Sequence, residues 1–139
     1  MKGSVEWVED VMFEAESDSG HSLLLEGPAE QGGRNRGMRP MELILLGVGG
    51  CSSFDVVTIL KKARQEVTGC VAQLEAERAD EVPSVFTRIN IHFVVSGTGL
   101  KEKQVSRAVE LSAEKYCSAS IMLSKGGVDL THSYEIQEQ

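Results

Sequence analysis

Positive charge and cysteine are both scarce in this chain, and each shortage removes a class of function. Lys and Arg number 14 against 21 Asp and Glu, a net charge of -7 with no basic cluster. Nucleic acid and anionic membrane surfaces are met by clustered Lys and Arg, so neither partner is expected. The first residues, Met1-Lys2-Gly3-Ser4-Val5-Glu6, hold no apolar signal core. The longest apolar run, Leu43–Val48 extended by small residues to Phe54, falls short of the roughly 20 residues that span a bilayer. The expected location is the cytoplasm. Only Cys51, Cys70 and Cys117 carry thiols, and an odd count without a secretory signal argues against a disulfide framework. His21, His92 and His132 are scattered with no metal spacing, and no G-x-x-x-x-G-K-[ST] phosphate loop occurs. No metal and no cofactor is expected.

What remains suits one α+β domain over residues 1–139. Ser4–Ala15 reads as a strand with a slip near Glu9-Asp10, and Ser17–Gly20 as a turn by composition. His21–Glu26 completes an antiparallel hairpin. Gly27–Arg39 holds four glycines, three arginines and a proline; it reads as a loop with room for a short third strand. Pro40 suits the first turn of a helix, where its missing N–H costs nothing. The helix runs from Met41 to about Gln65, with Lys61, Lys62 and Arg64 at the negative end of its dipole. Cys70–Ala79 and Val85–Ser96 read as strands joined by Asp80–Ser84. Lys101–Tyr116 reads as a helix with Val105, Ala108, Val109, Leu111 and Ser112 inward. Ser118–Lys125 is a third short helix capped by Ser118 and ended by Gly126-Gly127. Val128–Ile136 closes the chain as a strand. The order is ββ(β)-α-ββ-α(α)-β, with antiparallel sheets around a long buried central helix.

That helix is unusual in its first half, which is apolar or small all round from Leu43 to Cys51. An all-round apolar helix is buried on every side, which suggests that a second subunit supplies part of the cover. Gly47, Gly49 and Gly50 each cost up to ~1 kcal/mol in a helix interior. They imply either close packing, with Cys51 as one more small residue, or access to the thiol that follows. Gly49-Gly50-Cys51-Ser52-Ser53 lacks the last glycine of a nucleophile elbow.

The run Pro40-Met41-Glu42-Leu43-Ile44-Leu45-Leu46-Gly47-Val48-Gly49-Gly50-Cys51 resembles the first block of the OsmC/Ohr family (osmotically inducible protein C and organic hydroperoxide resistance proteins). There a proline precedes a long apolar helix bearing the reactive cysteine. Tyr116-Cys117-Ser118-Ala119-Ser120 resembles the second block. The likeness covers roughly residues 5 to 136, and the Met-Glu-Leu wording is nearer the YhfA-like branch than the true hydroperoxide reductases. The resemblance implies an OsmC-like fold and an intertwined homodimer with active sites at the interface. It also implies a peroxidase of organic hydroperoxides or hydrogen peroxide in oxidative stress defence. Cys51 would be the peroxidatic thiol and Cys117 the resolving one, with a dithiol or lipoyl protein as reductant. An open alternative is a weakly active or non-catalytic module that binds a small apolar ligand in the dimer cleft.

Peroxidase chemistry sets a requirement. A thiol of pKa about 8.5 is only ~3% thiolate at pH 7, and lowering it to ~6 needs about 3.4 kcal/mol. Cys51 lies ~16 Å from the helix start, where the dipole has faded. Burial acts in the wrong direction. A cation is therefore expected. Family members pair an arginine of the N-terminal strands with a glutamate ten residues before the cysteine. Here that position is Met41, Glu42 stands one place later, and no arginine precedes Arg34. Arg34, Arg36 and Arg39 are the candidate replacements, with Arg39 preferred and Glu42 as its partner. Cys70 has no counterpart and is read as structural.

Overall fold

The computed structural model describes residues Met1–Gln139, which form two compact units, Met1–Ile44 and Leu45–Gln139. The first unit is an antiparallel meander of β1 (Gly3–Glu9), β2 (Met12–Ser17) and β3 (Ser22–Glu26). The segment expected as one strand, Ser4–Ala15, is thus two. Asp10 adopts φ 48 and the chain reverses there, setting Trp7 opposite Phe13 and Glu9 opposite Met12. Aspartate visits the left-handed region more readily than most residues. The broken alternation at Glu9-Asp10 therefore marks a register shift between Trp7 and Glu9 together with the hairpin turn that follows it. The third strand arises from this split; Gly27–Arg39 is a loop with one 3₁₀ turn at Ala29–Gln31.

That loop is held by Glu26, whose side chain is fully buried. Its carboxylate accepts the backbone N–H of Arg34 at 3.0 Å and of Arg36 at 2.7 Å, and the Arg36 guanidinium at 2.8 Å. The guanidinium of Arg36, followed in weight by the opposing effect of burial and then by the two backbone donors, holds the carboxyl down to about 2.

The second unit is built on β4 (Glu66–Arg78), β5 (Phe86–Thr98) and β6 (Asp129–Glu138), in the order β4-β5-β6. β5 is central, which explains why Phe86, Ile89, Ile91, Phe93 and Val95 are all buried. The sheet is mixed: β4 pairs antiparallel with β5, but β6 runs parallel to it, with Ile91 opposite His132. Purely antiparallel sheets were the expectation; a parallel neighbour needs a long crossover. Here the crossover is α2 (Glu102–Leu111), a π-helical turn (Ser112–Tyr116) and α3 (Ser118–Lys125). α2 and α3 both lie against β6, and Val105, Ala108 and Val109 are buried as the helical spacing requires.

α1 (Pro40–Lys62) spans 23 residues, about 35 Å. The Leu43–Val48 run is too short to cross a bilayer, but the helix as a whole is long and apolar enough to do so on length and composition, with a mean hydropathy of 2.0. It is nevertheless a core helix on one face. Val48, Ser52, Val56 and Leu60, spaced four apart, are fully buried. Burial on every side is not what the single chain shows: Leu46 is 47% exposed and Phe54 71%. Of the three glycines in α1, only Gly49 answers to close approach, since a Cβ there would meet Leu74 of β4 at 2.7 Å. Gly47 and Gly50 face open space.

Two outcomes follow. Phe93→Ala should destabilise the protein by about 3–5 kcal/mol, read from urea unfolding. Because the folded Glu26 carboxyl is harder to protonate than the unfolded one, its contribution is fully present above pH 4.5 and disappears as the pH falls toward about 2. Glu26→Gln should flatten the acid dependence of the unfolding midpoint in that window.

Candidate functional site

α1 turns Cys51, Ser52 and Asp55 toward the crossover segment. Cys51 and Asp55 are four residues apart and so share a face of the helix. Cys117 arrives from the other direction, ending the π-helical turn and serving as the N-cap of α3. The two sulfurs and an Asp55 carboxylate oxygen lie within 4.8 Å of one another. Both thiols are free; Cys117 is buried and Cys51 half-buried. Cys70 is outside this group and instead lines a cleft with Gly50, Ser53 and Lys61. None of the three histidines joins it. Three donors are one fewer than a structural zinc site uses and as many as a catalytic one; the group is a dithiol beside a carboxylate.

Small hydroxyls surround the sulfurs. Ser52 Oγ lies 3.1 Å from Cys117 Sγ and 3.2 Å from Ser120 Oγ. The Ser120 N–H donates to Cys117 Sγ at 3.4 Å. Ser112 Oγ is 3.2 Å from Asp55 Oδ2 and 3.4 Å from the Ser52 carbonyl, to either of which it can donate. Ser52 and Ser112 are fully buried and Ser120 is 2% exposed. Buried hydroxyls need partners, and these satisfy one another and the thiols. Asp55 also opens onto a cleft of about 520 Å³ with Phe54, Leu111, Tyr116, Lys62 and Arg107.

The environment separates the two thiols. Burial pushes Cys51 above the ordinary cysteine range; the Ala119 N–H opposes this, and the adjacent Cys117 and Asp55 add to it. At Cys117 burial also pushes upward, but the hydroxyls of Ser120 and Ser52, the Ser120 N–H and the Cys51 thiol together outweigh it. The Cys117 thiol is held below the ordinary range. The sulfur whose anion is favoured is thus the one at the helix N-terminus, where anions are stabilised.

The other residues expected at the site have their own engagements in the first unit. Arg39 donates its backbone N–H to Glu42 Oε1 at 2.8 Å, and its guanidinium to the Gly37 carbonyl at 2.7 Å and Asn35 Oδ1 at 3.1 Å. Arg36 is paired with Glu26 at 2.8 Å and Arg34 with Asp10 at 3.8 Å. Sequence reasoning did not single out Asp55, Ser52, Ser112 or Ser120 as site residues. Asp55 one turn after Cys51 was the available signal, as was Ser120 three residues after Cys117, the spacing of an N-cap acceptor and its donor.

A mixed sheet with a long helix, and neighbouring thiols on that helix and at a crossover N-cap, defines an α+β protein that carries a close cysteine pair. The family model for OsmC-like protein matches residues 32–133, and the chain belongs to that family. It is similar to Protein YhfA of Escherichia coli (strain K12), 49% identical over 136 residues that cover 98% of each chain. It is also similar to a hypothetical protein from Aquifex aeolicus VF5, 32% identical, with a TM-score of 0.87 over 99% of this chain and 96% of that one. An organic hydroperoxide resistance protein from Legionella pneumophila shares the fold, with a TM-score of 0.70 at 18% identity over 96% and 95% of the chains.

The capping geometry has a measurable consequence. Cys117→Ala should cost about 0.5–2 kcal/mol in urea unfolding through loss of the α3 cap, while Cys117→Ser, which keeps an acceptor, should cost less.

Proposed function

We propose that the protein is a thiol-dependent peroxidase that reduces organic hydroperoxides or hydrogen peroxide in oxidative stress defence. The observation that carries this reading is the approach of the Cys51 and Cys117 sulfurs to within 4.8 Å in one pocket. Cys51, the more accessible thiol, attacks the peroxide and becomes a sulfenic acid. Cys117 condenses with it to a disulfide, releasing water. In the disulfide the two sulfurs stand about 2.05 Å apart. A dithiol or a lipoyl protein restores both thiols.

The working form is an intertwined homodimer in the cytoplasm. Leu46 and Phe54, exposed on an otherwise apolar helix, supply the kind of surface that a second copy covers. Arg39 and Glu42, already in contact with one another, are candidate supporting residues of the assembled site. The alternative, a non-catalytic module holding a small apolar ligand in the dimer cleft, is favoured by the upward push of burial on Cys51.

Purified protein supplied with a dithiol should consume cumene hydroperoxide catalytically, and Cys51→Ser should reduce consumption to the background of free dithiol. Consumption by the unaltered protein no faster than that background would sink the peroxidase reading. In that case, binding of apolar dyes unaffected by Cys51→Ser would support the alternative.

A further inference from the structure

We propose that Cys117 is also the base that activates Cys51, the resting site holding one negative charge on the Cys117 sulfur and one proton on Cys51. This role rests on the peroxidase reading above and deepens it.

The argument starts from a separation of charge and access. The sulfur of Cys117 has the donors of an anion site: Ser52 Oγ at 3.1 Å and the Ser120 N–H at 3.4 Å, at the first turn of α3. It is also fully buried, so a peroxide cannot reach it directly. Cys51 is reachable but lies beside the Asp55 carboxylate, and within this unit the hydrogen bonds made to the two sulfurs come from hydroxyls, backbone N–H groups and the thiols themselves. The other charged groups nearby, Lys62 and Arg107, line the cleft that Asp55 borders. Ser112 can donate to that carboxylate, which tempers its repulsion of a neighbouring thiolate. Two thiolates within 4.8 Å repel one another, so the pair ionises once and the charge rests where the donors are. Burial disfavours either anion; the carboxylate adds to this at Cys51, whereas the donors at Cys117 offset it, in agreement with the opposite directions in which the two thiols are shifted. The reachable sulfur is protonated and the ionised sulfur is shielded. Reaction therefore requires the proton to move from Cys51 to Cys117.

The steps balance. Cys51 sulfur attacks the terminal oxygen of R–O–OH as its proton passes to the Cys117 thiolate. The O–O bond breaks, Cys51 becomes S–OH, and the alkoxide takes the proton back from Cys117 as ROH. The regenerated Cys117 thiolate attacks the Cys51 sulfur, the S–S bond forms, and hydroxide leaves. The peroxide gains two electrons and the two sulfurs lose them; the dithiol named above returns them. Ser52 is a positioning residue in this scheme, since its hydroxyl donates to the anion without touching the peroxide.

Two measurements on the full chain test this. The first is thiolate ultraviolet absorbance against pH, in the absence of peroxide. The step at lowest pH should persist in Cys51→Ser and Cys70→Ser, vanish in Cys117→Ser, and move to higher pH in Ser52→Ala. Persistence in Cys117→Ser with loss in Cys51→Ser would overturn the proposal. The second is the single-turnover rate of Cys51 sulfenic acid formation, trapped with a dimedone-type reagent. Cys117→Ser keeps a good N-cap and should slow this first step by about 100-fold, the scale of general-base catalysis. A purely resolving Cys117 would leave the first step unchanged, which would refute the base role. If the unaltered protein forms no sulfenic acid at all, the peroxidase reading fails, while the absorbance titration still decides where the charge rests.

Discussion

The site depends on a single contact between distant parts of the chain: the Ser52 hydroxyl of α1 against the Cys117 sulfur at the start of α3, 3.1 Å apart. The contact exists because α1 buries a row of Val48, Ser52, Val56 and Leu60, and because the parallel placement of β6 returns the chain through α2 and α3. Ser52 is the polar member of an otherwise apolar row. A hydroxyl at such a position needs a partner, and Cys117, capping a helix of its own, provides it. The same packing brings Cys51 and Asp55, on the adjoining face, up to that sulfur. Core packing and the approach of the two thiols are therefore consequences of one helix crossing.

Much of the fold was legible and its direction was not. Helical spacing located α1, ending at Lys62 rather than near Gln65, and separated the inward residues of α2 correctly. Val85–Ser96 was legible as a strand, though not as the central one. But alternation says which face a residue occupies and nothing about whether a neighbour runs parallel or antiparallel, so the pairing of β5 with β6 was out of reach. The turn at Asp10 was misread because a left-handed aspartate interrupts alternation just as a bulge would. Cys51 and Cys117 were legible through family likeness, not through local chemistry. The serines around them were hidden because small hydroxyls at buried positions look like ordinary packing residues.

The arginines illustrate a different limit. Composition made the Gly27–Arg39 loop look like a reservoir of free cations. In its own unit the loop is instead organised by them: Arg36 neutralises the buried Glu26, and Arg39 ties the loop to Gly37 and Asn35. A charge in a glycine-rich loop can be a structural element. At Cys117 the groups that favour an anion are hydroxyls and a helix N-terminus. Those groups stabilise an anion by aligned dipoles rather than by a full charge.

The account's central claim is that Cys51 and Cys117 form one redox unit from which Cys70 is excluded. Its most direct test is to add one equivalent of cumene hydroperoxide to the fully reduced protein, block the remaining thiols and map the peptides. The account predicts a Cys51–Cys117 disulfide, one equivalent of the corresponding alcohol, and Cys70 recovered as the blocked thiol. Oxidation falling on Cys70, or Cys51 and Cys117 both recovered as blocked thiols, would contradict it.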